Sequence, residues 1–428
     1  MDKSLCLSRA SLLLQQGGRA VLSLFLVSHL GRTLSVPDLG FFTLAMGVLA
    51  VVHLLMDMGT GTLAVTLIAR HPEREGAMVA LLLKFRWQVA RGLAIPLFLF
   101  GYLETDLEKR LVWWCLVPVC ASLSQGAFAP ALISRRLFLR PALQSLACQA
   151  GALLLTLAVP ASRLTGGVAT LILWGREVVQ AIWIRVLARG SGVPAPQPAP
   201  ADVRAAFLRS ALPMGALTLL QSLYFHSDVF MMRALLGEAS LGAYGAALRP
   251  LSPLAFLPGA FLLPLLPTWS RRAETGDHGA IQSEMLSALR TLGAGAAALL
   301  VIALPLANPI LRGLYGVTYA EGPWEATGAF RVLAISYTGI FMGAASHTVL
   351  LALGRARALL SLALVALVLN AVGNAVLMPR YGFEAAAWTT AATEWLVNGT
   401  AIWWSLRLLK RQGKVGEPET RPLWERVE

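Results

Sequence analysis

The sequence predicts an all-α integral membrane protein of twelve transmembrane helices in two six-helix lobes, and three observations lead there. Of the 428 residues, 56% are hydrophobic and 14% charged, with a mean hydropathy of +0.64; soluble domains carry about 25% charged residues. Apolar runs of the length a membrane helix needs, roughly 17–25 residues, recur from one end to the other. Lys and Arg collect in short clusters between those runs, which is how topology is encoded. No hydrophilic segment is large enough for a soluble catalytic domain, and an enzyme is not expected.

The runs place helices near 9–32, 38–69, 78–102, 110–133, 137–160, 164–187, 204–236, 239–268, 283–313, 324–353, 356–378 and 383–408. The N-terminal stretch lacks the short apolar region and cleavage site of a secretory signal, so it reads as the first helix. With the N-terminus inside, 24 Lys and Arg fall on the cytoplasmic side and seven outside. Both termini are therefore expected in the cytoplasm. The cytoplasmic clusters include Arg70/Arg74/Lys84/Arg86 and Arg135/Arg136/Arg140. The formal charge of +13 thus serves topology, and no basic domain interleaved with aromatics points to nucleic acid. Cys6, Cys115, Cys120 and Cys148 form no C-x-x-C pair and read as apolar fillers, with neither disulfide nor metal site indicated. Trp113/Trp114 and Trp403/Trp404 lie near helix ends and read as interfacial anchors.

The stretch "GSGVPAPQPAPADVR" (190–204) alternates Pro and Ala, which favours an extended, semi-rigid spacer. It sets the expected boundaries: an N-lobe over 1–189, a cytoplasmic linker over 190–203, a C-lobe over 204–409 and a tail over 410–428. The halves repeat. "LSVPDLGFFTLA" (34–45) aligns with "LGEASLGAYGAA" (236–247) at an offset of 202, and "RHPE" (70–73) with "RRAE" (271–274) at 201. An even number of helices per half makes the repeat parallel, about an axis along the membrane normal. Two such bundles around a central cleft are the architecture of an alternating-access transporter.

Charges near mid-helix are costly and need a partner or a wet cavity. They are Arg19, Asp57, Arg91, Arg176, Glu177, Asp228, Arg249, Arg331 and Glu394. Most read as packing pairs within a lobe. Arg176 and Glu177, adjacent and about 100° apart on a helix, are expected to find partners elsewhere. Arg19, Asp57, Asp228 and Arg249 lie on helices one, two, seven and eight, the equivalent cleft helices of the repeat. Two arginines there favour an anionic substrate group such as phosphate or a sugar carboxylate. For Asp57 and Asp228, neutralising those arginines and binding a coupling proton or sodium ion stand as equal readings. Arg249 sits in an apolar stretch with five prolines (250, 253, 258, 264 and 267), which free carbonyls and permit bending. "GTG" (59–61) lacks the Gly-Lys-Ser/Thr of a phosphate loop, and no histidine pair has metal-ligand spacing.

"RTLSVPDLGFFTLAMGVLAVVHLLMDMGTG" (32–61), with its R-x-L-x-x-x-D-x-G-x-F turn, resembles the polysaccharide flippases of the multidrug/oligosaccharidyl-lipid/polysaccharide (MOP) exporter superfamily. "DVFMMRALLGEASLGAYGAALRPLSPLAFLPGAFLLPLLPTWSR" (228–271) repeats the likeness. "LRGLYGVTYAEG" (311–322) and the N-x-x-L-x-P-x-Y-G-x-x-A-A-A segment within 350–394 match the family's next landmarks. The resemblance implies a MATE-like fold and a flippase for a polyprenyl-diphosphate-linked oligosaccharide, an O-antigen, capsule or exopolysaccharide repeat unit. It implies substrate contact by Arg249, matched to the arginine of the A-D-R-L segment in related lipid II flippases, and by Arg19. Leu248 stands where that segment has its acidic residue. Lipid II flippases carry two further C-terminal helices, so a twelve-helix chain points away from lipid II. No cofactor is implied beyond coupling to a proton or sodium ion. The implied partners are the lipid-linked oligosaccharide, membrane lipids, a glycan polymerase and glycosyltransferases. A multidrug exporter of the same superfamily is the nearest alternative, and a polysaccharide polymerase or ligase the more distant one. Arg-rich, Lys-poor usage points to a bacterial inner membrane.

Overall fold

A computed structural model describes residues 3–262 and 264–412, and the expected tail lies outside the described residues from 413 onward. Among the described residues every regular element is helical. They form two compact units, Met1–His226 and Ser227–Glu428.

The first unit holds α1 (Lys3–Thr33), α2 (Val36–Asp57), α3 (Thr60–Arg70), α4 (Glu75–Tyr102), α5 (Leu107–Leu123), α6 (Ala129–Ser134), α7 (Leu139–Ala158) and α8 (Gly166–Gly190). α9 (Ala201–Leu248) begins in the first unit and ends in the second. The second unit continues with α10 (Phe256–Leu262), α11 (Leu266–Glu274), α12 (His278–Tyr315), α13 (Val317–Ala320), α14 (Thr327–Ala352), α15 (Ala356–Tyr381) and α16 (Glu384–Gln412). The twelve expected helices are all present. The second is α2 with α3, the fourth α5 with α6, and α9 supplies the seventh and the start of the eighth.

Among the described residues six helical spans are long and apolar enough to cross a membrane, or seven if the bent pair Ser252–Leu262 and Leu266–Glu274 is one broken span. α4, α8, α9 and α16 are as long but carry more of the charged residues. α15 shows how a span faces lipid. Leu364, Val368, Val372 and Val376 are exposed at four-residue spacing, while Leu362, Ala366, Asn370 and Asn374 are buried at the same spacing. A helix in water would reverse that arrangement.

The repeat is visible at its turns. Ser35 caps α2, its Oγ accepting from Asp38 N at 3.2 Å, with Pro37 and Asp38 favouring the first turn. Asp38 also accepts from Gly166 N at 3.1 Å at the start of α8. A Cβ on Gly166 would meet Asp38 O at 2.5 Å, so only glycine permits that approach. The R-x-L-x-x-x-D-x-G turn is therefore a clasp between two helix starts. At the offset of 202, Ser35 corresponds to Gly237. There φ is 84° and ψ −179°, a region essentially reserved for glycine, and it breaks α9 where helices seven and eight meet.

The prolines of helix eight break it. α9 ends at Leu248, a 3-10 turn covers Ser252–Ala255, and α10 meets α11 at 44°.

The Pro/Ala spacer is pinned to the first unit. Val193 is buried in a core with Leu82, Phe128, Leu132 and Phe207, and Gln197 N donates to Gly76 O at 3.1 Å. Arg135, in the turn after α6, holds Glu75 at 2.9 and 2.5 Å and Ser191 O at 2.9 Å. The Glu75 hydrogen bond raises the Arg135 guanidinium above its ordinary value. Trp113 departs from the interfacial reading. It is fully buried, edge-on to Phe41 (5.6 Å) and Phe100 (5.0 Å) and tilted against Trp174 (6.0 Å). Its neighbour Trp114 stacks on Phe98 at 5.1 Å. Proximity to a helix end does not say which way a side chain points.

Candidate functional site

Two polar clusters lie at mid-helix level, one inside each unit. In the first, α2 stops at Asp57 because Met58 and Gly59 take left-handed conformations (φ 43° and 72°), and α3 restarts at Thr60. Gly61 leaves room for the Asp57 carboxylate: a Cβ there would meet Asp57 Oδ1 at 2.8 Å. The G-T-G segment thus has a steric use. Asp57 accepts from Arg86 Nη2 at 2.5 Å. The Arg86 side chain is 9% exposed and that of Asp57 44%, so the carboxylate looks outward while its partner is enclosed. Arg86 had counted as a cytoplasmic loop charge, but burial on α4 makes it a structural cation.

One turn before Asp57, His53 Nε2 lies 3.2 Å from Glu177 Oε2 on α8. Glu177 also accepts from Arg176, and Arg176 donates to Gln149 of α7. The long arginine side chain curls back, so the adjacent pair does meet, contrary to the expectation from helix geometry alone. The charges of Arg176, Arg19, Arg86 and Asp57 all reach His53, and Arg19 lies within electrostatic reach of Arg176. Arg19 and Asp57 therefore belong to one cluster. Three guanidinium groups stand against two carboxylates, and Arg19 has no hydrogen-bond or ion-pair partner among the described residues.

In the second unit Asp228, on α9, is buried. It accepts from the Tyr244 hydroxyl and, through Oδ1, from Val229 N at 3.0 Å. Tyr244 also bonds Thr390 of α16. Ser227 Oγ donates to Asn370 Oδ1 at 3.0 Å, Asn374 Nδ2 donates to the same oxygen at 2.8 Å, and Asn370 Nδ2 donates to Thr390 Oγ1 at 3.3 Å. Tyr337 of α14 bonds Ser252 and feels the charges of Asp228 and Glu394. Glu394 accepts from Asn398 at 2.7 Å. These groups form one buried network, neutral except for its carboxylates. Sequence reading named Asp228 but not Tyr244, Tyr337, Asn370 or Thr390. The repeat holds one signal for Tyr244, since it aligns with buried Phe42, and the added hydroxyl is what reaches Asp228.

Arg249 is half-buried just past the end of α9. Its backbone N–H still donates to Gly245 O at 3.1 Å, and its guanidinium is in electrostatic reach of Tyr315, whose ring meets Tyr319 at 5.8 Å. Among the described residues no group of three or more His, Cys, Asp or Glu has metal-binding geometry.

The fold is that of solved transporter structures. The lipid II flippase MurJ in an inward closed conformation is 12% identical, with 96% of this chain and 90% of that chain covered and a TM-score of 0.73. An inward-facing multidrug resistance MATE family transporter is 15% identical, with 97% and 100% covered and a TM-score of 0.72. A MOP superfamily transporter from Pyrococcus furiosus is 14% identical, with 96% and 97% covered and a TM-score of 0.67. No protein-family model matches the chain, and no curated protein matches it in sequence. Near full-length agreement with flippase and MATE structures alike gives this chain the fold of the MOP superfamily transporters.

Proposed function

We propose that the protein is a flippase that carries a polyprenyl-diphosphate-linked oligosaccharide across the bacterial cytoplasmic membrane by alternating access. The cationic excess of the first unit carries this reading. Arg19, Arg86 and Arg176 exceed Asp57 and Glu177 by one charge at mid-helix level, where an unmatched cation is costly unless a ligand or water meets it. A diphosphate supplies fixed negative charge and oxygens suited to the guanidinium fork. The prenyl tail adds none. Arg249, on a helix of the second unit already bent by its prolines, is a separate candidate contact for a substrate anion, taken from its match to the arginine of the related flippases.

Asp228 is the proposed coupling residue. It sits among oxygen donors from Tyr244 and, through Asn370 and Thr390, from three helices, a setting suited to a proton or a sodium ion. Glycosyltransferases that build the substrate and a polymerase that consumes it would act on either side of this step.

The buried carboxylates Asp228 and Glu394 favour a second reading, a drug exporter with a cationic substrate. Purified protein in vesicles separates the two. Movement of a polyprenyl-diphosphate-linked saccharide without dye efflux supports the flippase, and dye efflux without saccharide movement overturns it. Polymerised or ligated glycan in those vesicles would instead identify an enzyme.

A further inference from the structure

The polar cluster of the first unit holds a titratable side chain that the proposed transport leaves unused, His53. It lies on α2 four residues before Asp57, so the two share a face of the helix. Their side chains are 45% and 44% exposed, and a guanidinium-bound carboxylate on that face marks it as wet rather than lipid-facing. Charged groups meet the imidazole from four helices: Arg19 of α1, Asp57 of α2 itself, Arg86 of α4, and Arg176 and Glu177 of α8. α5 also packs on α2, but its charged residues stand in its first turn, at the level of Phe41.

Glu177 is held twice. Its Oε1 accepts from Arg176, and its Oε2 lies 3.2 Å from His53 Nε2. A neutral histidine bonds a carboxylate there only as the Nε2–H tautomer, which leaves Nδ1 on the exposed ring as the place for a proton. Once protonated, the imidazole is a cation, and its bond to Glu177 is charge-assisted, roughly twice as strong as a neutral one. It then competes with Arg176 for the same carboxylate. The Arg176 side chain is 12% exposed, and its other hydrogen bond goes to Gln149, a neutral group. A guanidinium released from Glu177 lies within electrostatic reach of Arg19. Two guanidinium groups so placed suit an anion that can take both forks.

We propose that a proton on His53 draws Glu177 away from Arg176 and frees that guanidinium for the substrate anion. His53 is a positioning residue here, acting through Glu177 and touching no substrate. Its proton adds a positive charge beside three guanidinium groups, and a bound anion offsets their repulsion, so proton and anion favour each other's binding. The anion therefore binds more tightly in acid, and its binding takes up a proton. This rests on the reading of the first unit as the site of an anionic headgroup and adds to it the protonation that opens the site.

The test titrates farnesyl diphosphate, a short prenyl anion, into the detergent-solubilised full-length protein by calorimetry. Buffers of different ionisation enthalpy report the protons taken up per ligand bound, from about pH 8 to about pH 5.5, across the ordinary histidine value near 6.5. The ligand titrates in the same range, so every variant is read against the wild type with that ligand. His53→Gln keeps an N–H donor for Glu177 but cannot take the proton. The wild type should take up as much as one proton more per ligand than this variant, with affinity gaining up to about tenfold per pH unit relative to it. Glu177→Gln releases Arg176 at every pH. It should bind more tightly than the wild type at about pH 8 and lose the same proton uptake. Equal proton uptake by the wild type and His53→Gln overturns the proposal, even where the variant is less stable, and so does weaker alkaline binding by Glu177→Gln. Both results leave the anion site standing. If His53→Gln fails to fold, the Glu177→Gln comparison decides. Absence of binding by the wild type at every pH removes the anionic-headgroup reading, and the proposal with it.

Discussion

Asp57 and Asp228 are both carboxylates at mid-helix level, yet their surroundings differ. Asp57 is tied to a guanidinium and 44% exposed; Asp228 is buried and tied to a tyrosine hydroxyl. Arg86→Ala should destabilise the first unit by about 1.5–3 kcal/mol, the range for a hydrogen bond to a charged group, toward its lower end because water can reach Asp57. A thermal shift of the detergent-solubilised protein checks this. Unchanged stability would mean that the pair contributes nothing. Asp228→Asn should leave membrane levels and stability near wild type while abolishing the response of transport to an imposed sodium or proton gradient. A preserved response in vesicles would make Asp228 a packing residue. How far these roles were legible in the sequence depended on distance along the chain. The identity of each intramembrane charge was plain, and so was the case for asking what faced it. The partner was not, because Asp57 and Arg86 are 29 positions apart and no periodicity links two residues on different helices.

At the scale of elements, the twelve hydrophobic runs were readable because bilayer thickness fixes their length. The interruptions within them were less so. Helix eight announced its break through five prolines, and the structure bends it by 44°. Helix two gave only Gly59 as a hint, since the left-handed turn also needs Met58 (φ 43°), a residue with no preference for it. Gly237 marks the turn between helices seven and eight, where φ is 84° and ψ −179°. Gly237→Val should cost about 1–3 kcal/mol through backbone strain, lowering the thermal midpoint and the membrane yield. Gly17→Leu, in an ordinary helical position with open space, should lower neither. Equal loss in both would mean that glycine content, not backbone geometry, sets stability here.

At the scale of the whole molecule, we propose an orientation with both termini inside from the asymmetry of Lys and Arg between the runs. A reporter fused after Gly190 should read cytoplasmic and one after Asp106 periplasmic, and reversed readings would overturn the inside-facing termini. Orientation decides which leaflet supplies the substrate, and the account stands or falls on what that substrate is. The most direct measurement is outer-leaflet exposure of the lipid-linked glycan in cells carrying Arg249→Ala or Arg249→Lys, normalised to membrane protein level. Losing one charge-assisted contact worth ~1.5–3 kcal/mol lowers affinity by roughly one to two decades. Arg249→Ala should therefore insert normally and flip poorly. Arg249→Lys should retain part of the activity, because a point charge still attracts phosphate although the planar fork is gone. Wild-type exposure in Arg249→Ala would contradict the account and leave Arg249 a tolerated charge with no part in transport.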